Sequence, residues 1–160
     1  MIRHFLEVSD ESINEQVFKF LRGVWSVRRR FEGSYTGAFS GEASFQPEPE
    51  GSLAYLYAEQ GELTDAEANR FDAKQSYLYR LAEGKLQVLK CDRSEWEPMH
   101  EFDFVAEDSS AVGRHIHLCG QDHYAATYRV DLVGNLWEVS YTVSGPKKDY
   151  RIHSIYTRMR

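Results

Sequence analysis

Between Phe20 and Phe31 the sequence reads FLRGVWSVRRRF, and the spacing of its apolar residues changes at Gly23. Before this glycine, apolar residues recur every three or four positions, which is the period of an amphipathic helix. After it, Trp25 and Val27 alternate with polar residues, which is the period of a half-buried strand. The stretch therefore predicts that a helix ends and a first strand begins within a few residues of Gly23.

The segment before Gly23 has the signals of a short helix. We predict that it spans about residues 10–21, with Ser9 or Asp10 as its N-cap and acidic residues in its first turn. Its apolar face is formed by Ile13, Val17, Phe20 and Leu21.

After Gly23, alternation of apolar and polar residues continues to the end of the chain, in runs separated by turn signals such as PEPEG, AEGK, VGN and SGPKK. Many short strands joined by close turns predict an all-β antiparallel meander, which closes into an up-and-down barrel or packs as a sandwich. We expect about eight to ten strands. The length of 160 residues predicts one domain over residues 1–160, with the barrel over about 24–160.

The composition is that of a globular protein, with 42% hydrophobic and 28% charged residues. The net charge of −6 argues against nucleic acid as a partner, and no run of roughly 20 apolar residues predicts a membrane span. The N-terminus becomes acidic too early for a secretory signal. Two cysteines, Cys91 and Cys119, do not make a disulfide framework, so a cytoplasmic location is expected.

One face of the predicted strands carries tyrosines together with Glu59 and Gln75, where a plain core would carry valine, leucine and isoleucine. A buried phenol needs a hydrogen-bond partner. If this face turns inward, it predicts a polar network or a cavity that binds a small molecule, whereas tyrosines facing outward would reach solvent. The predicted cavity residues on these strands are Tyr55, Tyr57, Gln75, Tyr77, Tyr124 and Tyr128.

The run HIHLC places His115, His117 and Cys119 on one face of a strand, with Asp122 shortly after it. Zinc and iron accept such side chains, but no second His/Cys pair at a known spacing accompanies them, so no metal is predicted. The alternative is a strand whose end faces solvent, with Cys119 buried as a small apolar residue.

Two basic runs are candidate anion sites. In SGPKKDY, Lys147 and Lys148 follow a Gly-Pro turn, and they either hold a carboxylate or phosphate at the barrel mouth or form a charged hairpin tip. In SVRRRF, alternation sends Arg28 and Arg30 to one side and Arg29 to the other, and a solvated strand face is the expected role.

The GVW segment and the C-terminal YTR segment resemble the first and last strands of lipocalin-like barrels of the calycin superfamily. In lipocalins a late arginine lies across the tryptophan of a Gly-x-Trp signature, in a cation–π contact that closes the barrel floor. The resemblance implies a barrel with the N-terminal helix at its base and a contact between Trp25 and Arg158.

Nearly the whole chain is similar to a bacterial and fungal family of domains of unknown function with a lipocalin-like barrel. The similarity runs through GVW and RR, FSGEASF, YAEQGEL, HLCGQDHY, VSGPKKDY and YTR. The chain departs from these relatives at CDRSEWEPMHEFDF, where they tend to carry Asp-Gly-Arg followed by Phe-His. The recurrent polar positions of the family fall on Glu59, His117, Cys119, Asp122, Tyr124, Lys147 or Lys148, and Asp149.

The segment RIHSIYTR is also similar to the C-terminal strand of the haem-binding nitrobindin barrels, in which a histidine near that strand ligates the iron. His153 is the matching residue. If Tyr156 and Arg158 point inward, alternation points His153 outward, because a one-residue shift reverses every side chain. No cofactor is therefore predicted.

Three functions remain open from the sequence. The first is a barrel that binds a small amphipathic or aromatic ligand, in which His117, Cys119, Lys147 and Lys148 join the tyrosine set and hold a polar or anionic end. The second is an isomerase, cyclase or lyase that draws its catalytic residues from His117, Asp122, Tyr124, Glu59 and His100. The third is a ligand-free interaction module, and self-association as a homodimer is also left open.

Overall fold

The computed structural model describes residues 11–159, which form a short helix followed by a long antiparallel sheet. The helix is α1 (Ile13–Leu21). The strands are β1 (Gly23–Gly33), β2 (Gly37–Pro47), β3 (Ala54–Asp65), β4 (Arg70–Ala82), β5 (Lys85–Asp92), β6 (Glu95–Phe102), β7 (Val105–Glu107), β8 (Ser110–Cys119), β9 (Asp122–Asp131), β10 (Leu136–Gly145) and β11 (Lys148–Arg158). No helix in this part of the chain has the length and apolar character needed to cross a membrane.

The eleven strands form one meander that curls into a barrel with an open side. Each strand pairs antiparallel with the next one in sequence, except that β6 does not pair with β7, and β1 pairs with β11. The predicted all-β antiparallel class is therefore confirmed. The prediction of about eight to ten strands missed β7, because three residues are too few to show alternation.

Side chains rather than backbone hydrogen bonds fill the open side of the barrel, where β6 faces β8. The edge strand β6 contains Pro98, which has no N–H to donate to a further strand. On β8, Gly113 allows close approach, because a Cβ at this position would lie 3.1 Å from atoms of Phe102 and Phe104. The barrel is thus closed by packing along this line.

Helix α1 begins with a capping box. The Ser12 hydroxyl accepts a hydrogen bond from the Glu15 N–H at 3.1 Å, and the Glu15 carboxylate accepts one from the Ser12 N–H at 3.2 Å. The predicted N-caps, Ser9 and Asp10, lie outside the described residues. The predicted helix start is therefore about three residues too early, because the glutamate that completes the box follows Ser12.

The C-terminal end of α1 is held by the first and last strands. The Trp25 indole N–H donates to the carbonyl of Leu21 at 2.8 Å. The Arg158 guanidinium donates to the carbonyls of Phe20 at 2.5 Å and Arg22 at 2.9 Å, and its Cζ lies 4.2 Å from the centroid of the Trp25 ring. The contact that the lipocalin resemblance implied is confirmed. The cation also lies at the negative end of the helix dipole.

Asn14 connects α1 to the open side of the barrel. Its buried amide donates to the Gly84 carbonyl at 2.8 Å and to the Asp103 carboxylate at 3.0 Å, and it accepts from the Phe104 N–H at 2.8 Å. One side chain therefore ties the helix to two other segments, the turn between β4 and β5 and the link between β6 and β7.

The core lies next to α1 and is rich in aromatic rings. Trp137 stacks on Tyr156 with centroids 3.9 Å apart and an interplanar angle of 11°, and it meets Trp25 edge-on at 6.1 Å. Phe45 packs against Tyr57 at 4.8 Å. These rings fill the barrel near the helix and form the floor of the space beyond it.

Candidate functional site

On the side of this aromatic floor away from α1, the barrel contains a partly open cavity of about 260 Å³. Inward-facing side chains of seven strands line it, and most of them are tyrosines or carry another polar group. The lining residues are Arg29, Phe31, Tyr57, Glu59, Gln75, Tyr77, Tyr79, Met99, His100, Tyr124, Tyr128, Val139, Tyr141, Ile152, Ser154 and Tyr156.

A bidentate ion pair is buried in the cavity wall. Arg29 Nη1 lies 2.6 Å from Glu59 Oε2, and Arg29 Nη2 lies 2.9 Å from Glu59 Oε1. The two side chains are only 10% and 2% exposed, respectively. Arg29 Nε donates to the Ser154 hydroxyl at 2.7 Å, and Nη2 also donates to the Tyr156 hydroxyl at 3.1 Å. Side chains of two other strands, β3 and β11, therefore fix the guanidinium in the wall.

The orientation of Arg29 follows from strand alternation. Trp25, Val27 and Arg29 all turn inward on β1, whereas Arg28 and Arg30 are exposed. The predicted divergence of the three arginines is confirmed. The prediction of a solvated role is wrong for Arg29, because the inward face of β1 meets the Glu59 carboxylate.

Two pairs of tyrosine hydroxyls extend the polar wall. Tyr57 donates to Glu59 and lies 2.9 Å from the Tyr156 hydroxyl, and the hydroxyls of Tyr79 and Tyr128 lie 2.8 Å apart. Burial is the main cause of a raised pKa for each of these four phenols. They are neutral at physiological pH and serve as hydrogen-bond donors and acceptors.

Histidines connect the cavity to the open side of the barrel. His100 Nε2 lies 2.8 Å from the Tyr141 hydroxyl, and His100 Nδ1 lies 3.0 Å from His115 Nδ1. Burial, together with the nearby His115 and His117, lowers the pKa of His100 to about 3, so this ring is neutral at pH 7. One of the two facing Nδ1 atoms donates and the other accepts, which couples the tautomers of the two rings.

Most of the predicted site residues line the cavity. Those brought together there are Tyr57, Gln75, Tyr77, Tyr124 and Tyr128 from the predicted ligand set, and Glu59 and His100 from the predicted catalytic set.

Six predicted residues lie outside the lining: Tyr55, His117, Cys119, Asp122, Lys147 and Lys148. Tyr55 stacks on Phe18 of α1 with centroids 4.1 Å apart, so it belongs to the core beside the helix. Cys119 is exposed at the end of β8, which contradicts the alternative in which it is a buried apolar residue. The His117 ring lies 6.3 Å from the Tyr124 ring, and its Nε2 is buried without a hydrogen-bond partner among the described residues. Burial, Lys90 and His115 lower its pKa.

The two lysines of the SGPKKDY run differ in their surroundings. Lys147 is exposed in the turn between β10 and β11. Lys148 Nζ lies 2.9 Å from Asp122 Oδ2 and donates to the Tyr124 hydroxyl at 2.7 Å, at the edge of the cavity. Asp122 is thus paired with a lysine instead of orienting His117. Gly145 makes room for this pair, because a Cβ there would collide with the Asp122 carboxylate.

The geometry does not assemble a metal or haem site from the histidines considered. Within residues 11–159, no group of three or more His, Cys, Asp and Glu side chains is placed to hold a metal ion. His153 lies on the outer face of β11 with 48% of its side chain exposed, and its Nε2 is 3.5 Å from Glu138. Its outward direction agrees with the alternation argument, and it does not fit the role of an axial ligand inside the barrel.

Residues 21–158 match the model of a protein family described as Family of unknown function (DUF6314). The chain belongs to this family. The match begins at the last residue of α1 and includes all eleven strands, with both Trp25 and Arg158. No curated protein matches the chain at a significant level.

Two solved structures are similar to this DUF6314 chain. One is the crystal structure of Rv2717c from M. tuberculosis, with a TM-score of 0.67 and 14% identity, which covers 94% of this chain and 100% of that one. At this identity the likeness shows the barrel fold alone. The other is a redesigned β-barrel, mFAP1, bound to DFHBI, with a TM-score of 0.43 and 12% identity over 89% of this chain and 99% of that one.

The lining residues of this DUF6314 chain that were not among the predicted site residues include Arg29, Tyr141 and Tyr156. Strand alternation could have identified the two tyrosines, since Tyr141 shares a strand face with Trp137 and Tyr156 shares one with Arg158. The signal for Arg29 was an arginine on the same face as two apolar residues of β1. Such a charge can be buried only with a partner, and Glu59 is the acidic residue on the tyrosine-bearing face.

Proposed function

We propose that this protein binds a small aromatic or amphipathic molecule inside its barrel. The observation that carries the proposal is the cavity of about 260 Å³ beyond the aromatic floor, with polar groups held in fixed positions by bonds behind the cavity surface. Binding sites for small molecules commonly combine apolar and aromatic walls with a few oriented polar groups.

The size of the cavity limits the ligand. At the liquid volume of ~30 Å³ per water molecule, the space corresponds to roughly nine waters, or a compound of about ten non-hydrogen atoms. That is a single substituted ring rather than a long lipid or a large cofactor. The ring faces of the tyrosines in the wall suit a flat ligand, because offset and edge-on contacts between rings are favourable.

The lining argues against a ligand-free interaction module. A protein interior is normally packed to the density of an organic crystal, and a void that serves no purpose leaves its wall atoms without contacts. Here the wall is made of large side chains whose polar groups are bonded to one another, as in the buried pair formed by the hydroxyls of Tyr79 and Tyr128 at 2.8 Å. The space persists because this network fixes the side chains around it.

The enzyme alternative requires a carboxylate that orients a catalytic histidine, and the candidate carboxylates have other partners. General acid–base catalysis by histidine is usually supported by a carboxylate that orients the ring. The partners of Glu59 are Arg29 and Tyr57, and the partner of Asp122 is Lys148. His100 is bonded to His115 and Tyr141 instead, and its low pKa makes it a weak base. Binding is therefore the function that the cavity supports best.

A fragment screen by protein-observed NMR tests the proposal. Single-ring compounds are expected to shift the amide signals of β3, β4, β9 and β10. Val139→Phe, which adds a ring at the cavity wall, should abolish those shifts. Ser140→Phe makes the same change on the outer face of the same strand and should leave them intact. Failure of every fragment to bind, or equal binding by both folded variants, would contradict the proposal.

A further inference from the structure

The charges in the cavity wall cancel. Arg29 and Glu59 form a bidentate pair, and each has little contact with solvent. His100 adds no charge at neutral pH, and the lining residues otherwise carry hydroxyl, amide, thioether and hydrocarbon groups. At the edge of the cavity, Lys148 is paired with Asp122. The interior therefore offers no unpaired charge to a ligand.

A charged ligand would have to lose its water without gaining a counter-ion. Transfer of an isolated ion into a low-dielectric site is strongly unfavourable, whereas a neutral polar group needs only a hydrogen-bond partner. A charged ligand could pair with Arg29 or Glu59 only by displacing the other one. The displaced charge would then be buried and unpaired, so this exchange is also unfavourable. The wall therefore favours neutral ligands over charged ligands of the same shape.

The wall contains hydrogen-bond donors that a ligand could use. The guanidinium of Arg29 has five N–H groups, and its bonds to Ser154, Glu59 and Tyr156 use four of them, which leaves one on Nη1 without an acceptor among the described residues. Tyr77 donates to the amide oxygen of Gln75, which leaves the amide NH₂ of this exposed lining residue available as a donor. A carbonyl or ring-nitrogen acceptor on the ligand would satisfy these donors.

We propose that the cavity selects uncharged single-ring compounds that carry a hydrogen-bond acceptor, and that the Arg29–Glu59 pair is the element that sets this charge selectivity. The inference rests on the proposed function and narrows it to a ligand class. It replaces the anionic end that Lys147 and Lys148 suggested in the sequence, since one of these lysines is exposed in a turn and the other is already paired.

Benzamide, benzoate and benzamidinium provide the test in the wild-type protein, because they have nearly the same shape and differ in charge. Their affinities are measured at pH 7 by NMR titration, alongside the fragment screen. Benzamide is expected to bind at least about tenfold more tightly than either ion, and the uncharged members of the screen are expected to dominate its hits. Equal or tighter binding of either ion would overturn the inference while leaving the binding function intact. A screen without any hits would remove the proposed function itself.

The variant Glu59→Gln tests whether the Arg29–Glu59 pair sets the charge selectivity. This change leaves Arg29 unpaired in the wall, so the ranking should reverse and benzoate should bind more tightly than benzamide. Glu62→Gln, the same change on the outer face of β3, should keep the wild-type ranking. A folded Glu59→Gln protein that still prefers benzamide would overturn the role of the pair. If that variant does not fold, the wild-type comparison of the three compounds still decides the charge selectivity.

Discussion

The Arg158 guanidinium lies over the Trp25 indole, with Cζ 4.2 Å from the ring centroid, and both residues donate hydrogen bonds to carbonyls at the end of α1. The first strand, the last strand and the helix are thereby joined at one point. A cation at a helix C-terminus is favourable, and the carbonyls there have no partners within the helix.

Replacement of this arginine should destabilise the whole barrel. Arg158→Ala removes charged hydrogen bonds and a cation–π contact, and we expect a loss of about 2 kcal/mol in the free energy of unfolding. Urea denaturation followed by tryptophan fluorescence measures it. Arg28→Ala, an exposed arginine of β1, is the control and should change stability by less than about 0.5 kcal/mol. A result for Arg158→Ala as small as the control would show that the junction contributes little.

The sequence was sufficient to predict the strands and the residues on their inward faces. It was not sufficient to predict which side chains contact each other inside the barrel. Alternation alone places Arg29 and Glu59 on inward faces. The register sets Phe39 opposite Arg29 and Ala43 opposite Glu59, so the two charges meet across the barrel wall only because the sheet coils. Such a diagonal contact depends on the three-dimensional twist and is not encoded in any local spacing.

The open side of the barrel could not be predicted from the sequence, for a related reason. His100 and His115 face each other on β6 and β8, which share no backbone hydrogen bonds and are not consecutive in the meander. The meander pattern predicted that every strand would pair with the next. The short β7, which pairs only with β8, interrupts that order and leaves the contact between β6 and β8 to side chains.

The buried ion pair should show strong energetic coupling. Arg29→Met or Glu59→Leu alone leaves one uncompensated charge in the wall, and we expect each to cost roughly 3–5 kcal/mol. The double variant removes both charges and should be more stable than the sum of the single losses predicts, by roughly 2 kcal/mol or more. A double-mutant cycle from urea denaturation gives the coupling. Additive losses would mean that the two side chains do not depend on each other.

The position of Gly113, where β8 packs closely against β6, should not tolerate a larger residue. Gly113→Ala places a Cβ 3.1 Å from atoms of Phe102 and Phe104, which must shift to accommodate it. We expect a loss of about 1–2 kcal/mol, as for other overpacked cores, together with faster hydrogen exchange in β6. Ala106→Ser, on the exposed face of β7, is the control. Unchanged exchange in β6 would show that β8 and β6 are not packed tightly at this glycine.

The buried His100 should make the protein less stable in acid. Its pKa is about 3 in the folded protein and near 6.5 when unfolded, so the unfolded chain binds one more proton between these two values. Stability is therefore highest above pH 6.5 and falls as the pH decreases towards 3, by up to roughly 1.4 kcal/mol per pH unit from this group. His100→Gln removes the titration and keeps hydrogen-bonding capacity.

Urea denaturation of both proteins at pH 7.5, 5.5 and 4.5 isolates the contribution of this histidine, because the carboxyl groups that also titrate in acid are common to the two. The difference in unfolding free energy between wild type and His100→Gln should be constant above pH 7 and should shift in favour of the variant as the pH falls. Parallel curves over the whole range would show that His100 takes up a proton in the folded barrel as readily as in the unfolded chain. That outcome would be incompatible with a ring enclosed between Tyr141 and His115.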